Sequence, residues 1–123
     1  MRLLVDSHIL IWAAGGKASL PQRYKAALSA PDTEAYISAA SGWEVGIKRS
    51  AGKLDIPEDL FERALMAGYQ ALDVTWNHAR AVETLPLIHK DPFDRLLIAQ
   101  AQCEGLTLAT VDAQIARYDV PVL

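Results

Sequence analysis

The chain lacks several features that mark special classes of protein. It has a single cysteine, Cys103, so no intrachain disulfide can form, and the apolar run around Cys103 predicts a small core residue. No run approaches the roughly 18 apolar residues of a membrane span. Residues 1–6 hold too short an apolar stretch for a signal peptide. We therefore expect a cytoplasmic protein with no membrane segment.

Positive charge is also not in excess. Lys and Arg number 12 against 15 Asp and Glu, for a formal net charge of −3, which argues mildly against an obligate nucleic-acid binder. If four of the acidic residues bind a cation and are left out of the sum, the formal net charge of the remaining residues changes from −3 to +1. Two basic groups flank candidate acids, and they are either solvated surface charges or phosphate contacts: Lys48, Arg49 and Lys53; His89, Lys90 and Arg95.

The apolar pattern predicts an α/β fold in one domain that spans residues 1–123, since 51% of the residues are hydrophobic. Strands are predicted at 3–5, 35–38, 71–74 and 107–110, with helices between them and a possible edge strand at 120–122. A short helix is predicted at 113–116, after the fourth strand. Strands that alternate with helices favour a mostly parallel central sheet flanked by helices.

Four acids occupy positions that such a fold brings together. Asp6 and Asp112 each follow a predicted strand, while Glu44 and Asp94 lie in the opening turns of predicted helices. The carboxyl ends of parallel strands meet at one edge, where this kind of fold builds its sites. Clustered carboxylates repel one another unless a cation offsets their charge. Oxygen ligands alone suit Mg²⁺ or Mn²⁺, so these acids are candidate metal ligands.

Each acid also has a structural interpretation. Asp6 and Asp112 are favourable helix caps, and Glu44 either closes a capping box that begins at Ser41 or pairs with Lys48. The negative charge of Asp94 is favourable near the N-terminus of its predicted helix, where the helix dipole is positive.

Neighbouring polar residues separate these roles in part. Asp91 before Pro92 predicts a helix cap, which leaves Asp94 for the metal. Ser7 is expected to help the cap at Asp6, and the Thr110 hydroxyl is a candidate to orient the Asp112 carboxylate.

The histidines and tryptophans are predicted to have structural rather than catalytic roles. His8, His78 and His89 lack a metal-binding spacing and are expected on the surface or in loops, where His8 or His89 could face a phosphate. The tryptophans fall in predicted helices, where core packing is favoured over base stacking: Trp12, Trp43 and Trp76.

With these residues in place, the chain resembles PIN domains, specifically the VapC-like toxins of toxin–antitoxin pairs. The matching stretches are residues 4–8, 37–38, 43–48, 52–54, 85–86, 91–101 and 105–112. The most specific feature is the sequence Asp-Pro-Phe-Asp-Arg at 91–95 with Thr110-x-Asp112 behind it. Gly42 and Gly46 put small residues where the family pattern accepts bulkier ones, which concerns the packing of the Glu44 helix.

This resemblance implies a Mg²⁺- or Mn²⁺-dependent endoribonuclease that a cognate antitoxin inhibits and that usually forms a homodimer. It implies metal ligation by four acids with support from Thr110: Asp6, Glu44, Asp94 and Asp112. Three basic residues are candidate RNA contacts: Lys48, Lys53 and Arg95.

Other classes of protein remain as alternatives. A haloacid dehalogenase-type phosphatase needs Asp-x-Asp on its first strand, whereas this chain has Asp6-Ser7-His8. A receiver-like signalling domain needs an adjacent acid pair after the first strand and a lysine after the last, and neither is present. A catalytically inert PIN-fold binding module keeps the fold without turnover, and a nuclease assay separates it from the toxin.

Overall fold

A four-stranded parallel sheet forms the centre of the protein. We describe it from a computed structural model, in which residues 1–15 and 20–123 are described. The strands are β1 (Arg2–Val5), β2 (Glu34–Ser38), β3 (Gln70–Leu72) and β4 (Thr107–Ala109), in the order β3-β2-β1-β4 with every pair parallel. The chain after β1 and the chain after β4 therefore emerge side by side. The predicted parallel α/β fold is confirmed.

Helices connect and cover these strands. Within the described ranges they are α1 (Ser7–Ala14), α2 (Gln22–Ser29), α3 (Ala39–Ser50), α4 (Leu60–Met66), α5 (Trp76–Ala81) and α6 (Pro92–Glu104). Short 3₁₀ helices follow at Val82–Thr84 and Ile115–Arg117. None of the helices in residues 1–15 and 20–123 has the length and apolar character that crossing a membrane requires.

The core lies on both faces of the sheet because side chains alternate along each strand. On β1, Leu3 and Val5 pack in one apolar cluster with α1, α2 and α4, and Leu4 packs in a second cluster with α6. Leu3, Leu4 and Val5 are fully buried, as a central parallel strand requires, whereas Arg2 at the start of β1 is exposed.

Helix α6 has sequence signals at both of its ends. The Asp91 carboxylate accepts hydrogen bonds from the backbone N–H groups of Phe93 and Asp94, and Pro92 is the first helical residue. Gly105 ends the helix at φ 67°, in the left-handed region that glycine enters without steric cost. Local chemistry therefore sets the orientation in which α6 presents Asp94.

Several element boundaries differ from prediction. Strand β3 covers Gln70–Leu72 rather than 71–74, as an edge strand with one neighbour has few partners to set its length. The 120–122 segment is a single bridge between Val122 and Leu108 rather than a strand. The last short helix begins at Ile115 instead of 113, because the Asp112 side chain first forms a turn with Gln114. The adjacent glycines Gly15 and Gly16 predict a loop after the first helix; Gly15 ends α1, and Gly16 lies outside the described residues.

Three residues that were predicted in the core are exposed. Cys103 is exposed, because the last turn of α6 carries it to the solvent side. Trp43 and Trp76 are 64% and 77% exposed and so do not pack in the core. Trp12, in contrast, is partly buried against the cluster that contains Leu3. A helical position alone does not say which face of the helix is covered.

Candidate metal centre

The first pair of site residues is brought together by adjacent strands. Val5 on β1 is in register with Ala109 on β4, so Asp6 and Thr110 leave the sheet at the same edge. The Thr110 hydroxyl donates to Asp6 Oδ2 at 2.9 Å, and both side chains are buried. Thr110 Oγ1 also accepts from the Asp112 backbone N–H at 3.2 Å. The prediction that Thr110 orients the Asp112 carboxylate was wrong, because its hydroxyl proton points to Asp6.

Asp6 serves as a helix cap and as a site acid at once. Its Oδ1 accepts from the His8 backbone N–H at 3.2 Å at the start of α1, while Oδ2 faces Thr110. Burial alone would raise the Asp6 pKa. The His8 imidazole at 3.6 Å, the Thr110 hydroxyl and the His8 N–H together outweigh burial and hold that pKa below its usual value. Asp6 is therefore ionised at neutral pH.

Glu44 is joined to Asp6 by Ser7. The Ser7 hydroxyl lies 3.0 Å from Glu44 Oε1 and 3.3 Å from Asp6 Oδ1, so its one proton can serve either carboxylate. Glu44 Oε2 accepts from Lys48 Nζ at 3.2 Å, which confirms the predicted pairing one helical turn apart. Ser7 is thus more than part of a cap.

The capping box predicted from Ser41 was wrong. Helix α3 begins directly after β2, and the Ser38 side chain caps it by accepting from the Ala40 N–H at 3.0 Å. Ser41 is already inside the helix and is buried. Glu44 consequently lies in the second turn, where it is free of capping and turned toward Ser7.

Asp94 carries a strongly perturbed carboxyl group. Its pKa is raised to about 7, first by burial and then by the negative charges of Asp91, Asp6 and Glu44, while His89 acts in the opposite direction. Its side chain is 16% exposed. The predicted helix cap at Asp91 is confirmed. Metal binding by Asp94 stays a prediction. The raised pKa marks a place where uncompensated negative charge is costly.

His89 joins the acids, which the sequence did not predict. Its Nε2 lies 3.0 Å from Asp94 Oδ2 and 2.8 Å from Asp112 Oδ2. Burial would lower the His89 pKa, but the hydrogen bond to Asp112 and the charges of Asp94, Asp112 and Asp91 raise it overall. Its sequence context contains no metal-ligand spacing such as His-x-x-x-His. The available signal was only its place just before a helix cap.

Asp112 closes the site on the solvent side. Its Oδ1 accepts from the Gln114 N–H at 2.9 Å, and its side chain is 34% exposed. The predicted capping role is therefore present in the form of a turn, and it leaves Oδ2 facing His89.

The residues at this edge fit a divalent cation. One ligand atom from each of His89, Asp94 and Asp112 lies within 4.8 Å of the others. Asp6 and Glu44 are close enough for their charges to raise the Asp94 pKa. Carboxylate oxygens suit Mg²⁺ or Mn²⁺. A bound cation would offset the repulsion between the Asp94 carboxylate and its acidic neighbours, which raises the Asp94 pKa.

The basic residues differ in how free they are. Lys53 is exposed, and Lys48 is held by Glu44. The Arg95 guanidinium donates to the backbone oxygens of Pro86 at 2.8 Å and Val82 at 3.2 Å, contacts that give it a structural role. RNA contact by these three residues stays a prediction, and the Arg95 contacts do not favour it.

The other two histidines do not join His89, Asp94 and Asp112: His8 lies beside Asp6, and His78 lies near Thr75 and Glu104. His8 is exposed as predicted, and Asp6 raises its pKa. His78 is fully buried, so its predicted surface position was wrong. Its Nδ1 accepts from the Thr75 N–H at 3.0 Å and its Nε2 lies 2.8 Å from Glu104 Oε2. A polar side chain with satisfied hydrogen bonds tolerates such burial.

The fold and the acidic edge together define a PIN domain. The PIN domain family model matches residues 3–121, and the chain belongs to this family. No curated protein sequence matches the chain significantly.

Several solved structures share the fold. VapBC2 from Rickettsia felis, bound to a promoter DNA fragment, aligns at TM-score 0.73 and 17% identity over 100% of this chain and 97% of that one. FitAcB from Neisseria gonorrhoeae aligns at 0.69 and 18% over 98% and 96%. A toxin–antitoxin complex from Klebsiella pneumoniae aligns at 0.65 and 21% over 94% and 90%.

Proposed function

We propose that this protein is a divalent-metal-dependent endoribonuclease and the toxin of a toxin–antitoxin pair. The observation that carries the proposal is the grouping of acids at one edge of a PIN-domain sheet, where Ser7 links Asp6 to Glu44 and His89 links Asp94 to Asp112. Burial among these acids raises the Asp94 pKa to about 7. A purely structural acid gains nothing from such surroundings. A cation ligand does, because the ion offsets the negative charge.

The proposed ligands are Asp6, Glu44, Asp94 and Asp112. A bound Mg²⁺ or Mn²⁺ would activate a water and neutralise the scissile phosphate. The chain itself holds the carboxylates in place: Thr110 fixes Asp6 and Ser7 links Asp6 to Glu44. Lys48, whose side chain is 43% exposed beside Glu44, is a cation placed to contact a flanking phosphate.

Cleavage should require the metal. Purified protein freed of any partner should cut single-stranded or loop RNA with Mg²⁺ or Mn²⁺, and it should stop in excess EDTA. Asp6→Asn should abolish cleavage, whereas Asp59→Asn, which removes an exposed acid paired with Arg63, should not. Unchanged cleavage in EDTA would refute the metal-dependent mechanism.

RNA as the substrate is supported by the family resemblance. A matched pair of single-stranded oligonucleotides that differ only in the sugar tests this choice directly. RNA should be cut and DNA left intact under the same metal concentration. Preferential cutting of the DNA would reassign the substrate while keeping the metal chemistry.

The partner we propose is a cognate antitoxin whose basic residue reaches the acidic edge. The support is the fold shared with a toxin–antitoxin complex from Klebsiella pneumoniae and the carboxylates at the site. Expression of this protein alone should arrest the growth of the host cell. Co-expression of the antitoxin in the same cytoplasm should relieve that arrest. Charge reversal throughout the antitoxin tail should weaken both binding and inhibition, and intact inhibition would disprove this docking mode.

A homodimer is the assembly we propose. Trp43 and Ile47 lie one turn apart on α3 and are 64% and 44% exposed, an apolar surface that a second copy would cover. Light scattering should give twice the chain mass, and Trp43→Glu should give the monomer mass. A wild-type monomer would rule out the homodimer.

The alternative function is an inert PIN-fold binding module. If the protein bound the antitoxin but showed no nuclease activity, this module would be the better assignment.

A further inference from the structure

His89 stands between two of the proposed ligands without belonging to the set of acids. We infer that His89 is a positioning residue, which donates its Nε2 hydrogen to Asp94 and Asp112 and fixes their separation, and that Tyr118 holds His89 in place. The inference rests on the proposed metal site and deepens it. It concerns how the chain's own groups shape the site.

The hydrogen bonds of the ring decide which nitrogen carries the proton. Nδ1 of His89 lies 3.1 Å from the Asp91 backbone nitrogen, which can only donate. Nδ1 must therefore be the unprotonated nitrogen, and in the neutral ring the hydrogen sits on Nε2. That nitrogen faces Asp112 Oδ2 at 2.8 Å and Asp94 Oδ2 at 3.0 Å. One N–H thus links two carboxylates.

The same assignment argues against His89 as a metal ligand. A metal on Nε2 would force the proton onto Nδ1, where it would meet the Asp91 N–H. Holding the ring as a donor keeps that contact and leaves the carboxylates to the cation. Groups of this kind orient the ligands of many metal sites, and their loss typically costs 10–100-fold in affinity or activity.

Tyr118 anchors the loop that carries His89. Its buried hydroxyl accepts from the His89 N–H at 2.8 Å and from the Ile88 N–H at 3.2 Å, and it donates to Pro86 O at 2.9 Å. Arg95 from α6 reaches the same hydroxyl at 3.3 Å and the same Pro86 oxygen. Four groups therefore converge on one phenol. The backbone at 86–89 is consequently held against the start of α6.

The first measurement is the tautomer of His89 by nitrogen NMR on the full chain at pH 8. We expect a hydrogen on Nε2 and none on Nδ1, in metal-free protein and in protein saturated with Mg²⁺. A hydrogen on Nδ1 in either state would overturn the inference. If no metal bound at all, the proposed function would fail, and the metal-free tautomer would still decide the role of His89.

The second measurement is Mn²⁺ affinity by electron paramagnetic resonance. His89→Ala should weaken binding about tenfold or more, and His89→Gln, which keeps an N–H donor, should recover most of it. Nitrogen coupling to bound Mn²⁺ should be absent. Equal affinity in His89→Ala, equal losses in Ala and Gln variants, or direct nitrogen coupling would each overturn the positioning role.

A double-variant comparison tests whether Tyr118 acts through His89. Tyr118→Phe should weaken Mn²⁺ binding in the wild-type background and have no further effect in the His89→Ala background. Tyr69→Phe, in the other apolar cluster, is the matched control and should leave affinity unchanged. Equal losses from Tyr118→Phe in both backgrounds would show that Tyr118 acts independently, against the inference.

Discussion

The negative charge of Asp94 should be required for function and should lower the stability of the metal-free fold. Replacing Asp94 by Asn removes the charge and keeps an oxygen acceptor for His89. The Asp94 pKa is raised from 3.8 to about 7. At about 1.4 kcal/mol for each tenfold change in proton affinity, ionising this group costs the metal-free fold up to roughly 4 kcal/mol. Weaker hydrogen bonding to His89 offsets part of this, so we expect a net gain of about 1–3 kcal/mol.

The pH dependence has a definite sign. Because the folded-state pKa of Asp94 lies above its unfolded value, the folded chain binds the extra proton between about pH 4 and 7. Stability from this group therefore falls as the pH rises through that window and is lowest above it. The advantage of Asp94→Asn over wild type should be near zero at pH 4 and complete at pH 8.

Thermal melts with and without Mn²⁺ measure the effect, beside RNA cleavage. At pH 8 without metal, Asp94→Asn should melt higher by roughly 4 °C per kcal/mol gained. It should lose cleavage and most of the stabilisation by Mn²⁺. Asp91→Asn is the matched control, since Asn also caps helices well, and it should keep both. An active Asp94→Asn enzyme with a lowered melting temperature would refute the assignment.

Three further changes test neighbouring parts of the structure. Glu44→Gln should lower Mn²⁺ affinity by more than about tenfold, since even supporting residues reach that size; unchanged affinity in calorimetry would remove Glu44 from the ligands. Thr110→Val should cost about 1–3 kcal/mol in urea melts at neutral pH. Because the Asp6 pKa is lowered, this loss should fade as the pH falls through that pKa, and a loss independent of pH would count against it. His78→Phe should cost about 2–4 kcal/mol through the unpaired Thr75 N–H, with Mn²⁺ affinity unchanged.

Local sequence determined the parts of the fold that depend on neighbouring residues. Three consecutive apolar residues, 3–5, were sufficient to predict a buried strand. Asp91, Pro92 and Gly105 mark the ends of α6, because capping and left-handed backbone are satisfied within a few residues. The order of strands and helices likewise implied a parallel sheet, and with it the edge at which Asp6 and Asp112 emerge.

Exposure and hydrogen-bond partners were decided by tertiary structure. Trp43 and Trp76 were expected in the core, yet both are exposed, since burial depends on what packs against a helix. The sequence around Ser41 fits a helix cap, but α3 starts at Ala39, directly after β2, so Ser41 lies inside the helix.

The site itself shows the same division. The positions of the acids could be read from the chain, because each follows a strand or opens a helix. Their connections could not, since the Thr110 hydroxyl meets an Asp6 carboxylate 104 residues away and Ser7 meets Glu44 37 residues away. His89 joins Asp94 to Asp112, and its backbone N–H is held by Tyr118, 29 residues further along the chain. Such contacts need angstrom-scale placement of distant segments, which packing of the whole fold supplies and residue spacing does not encode.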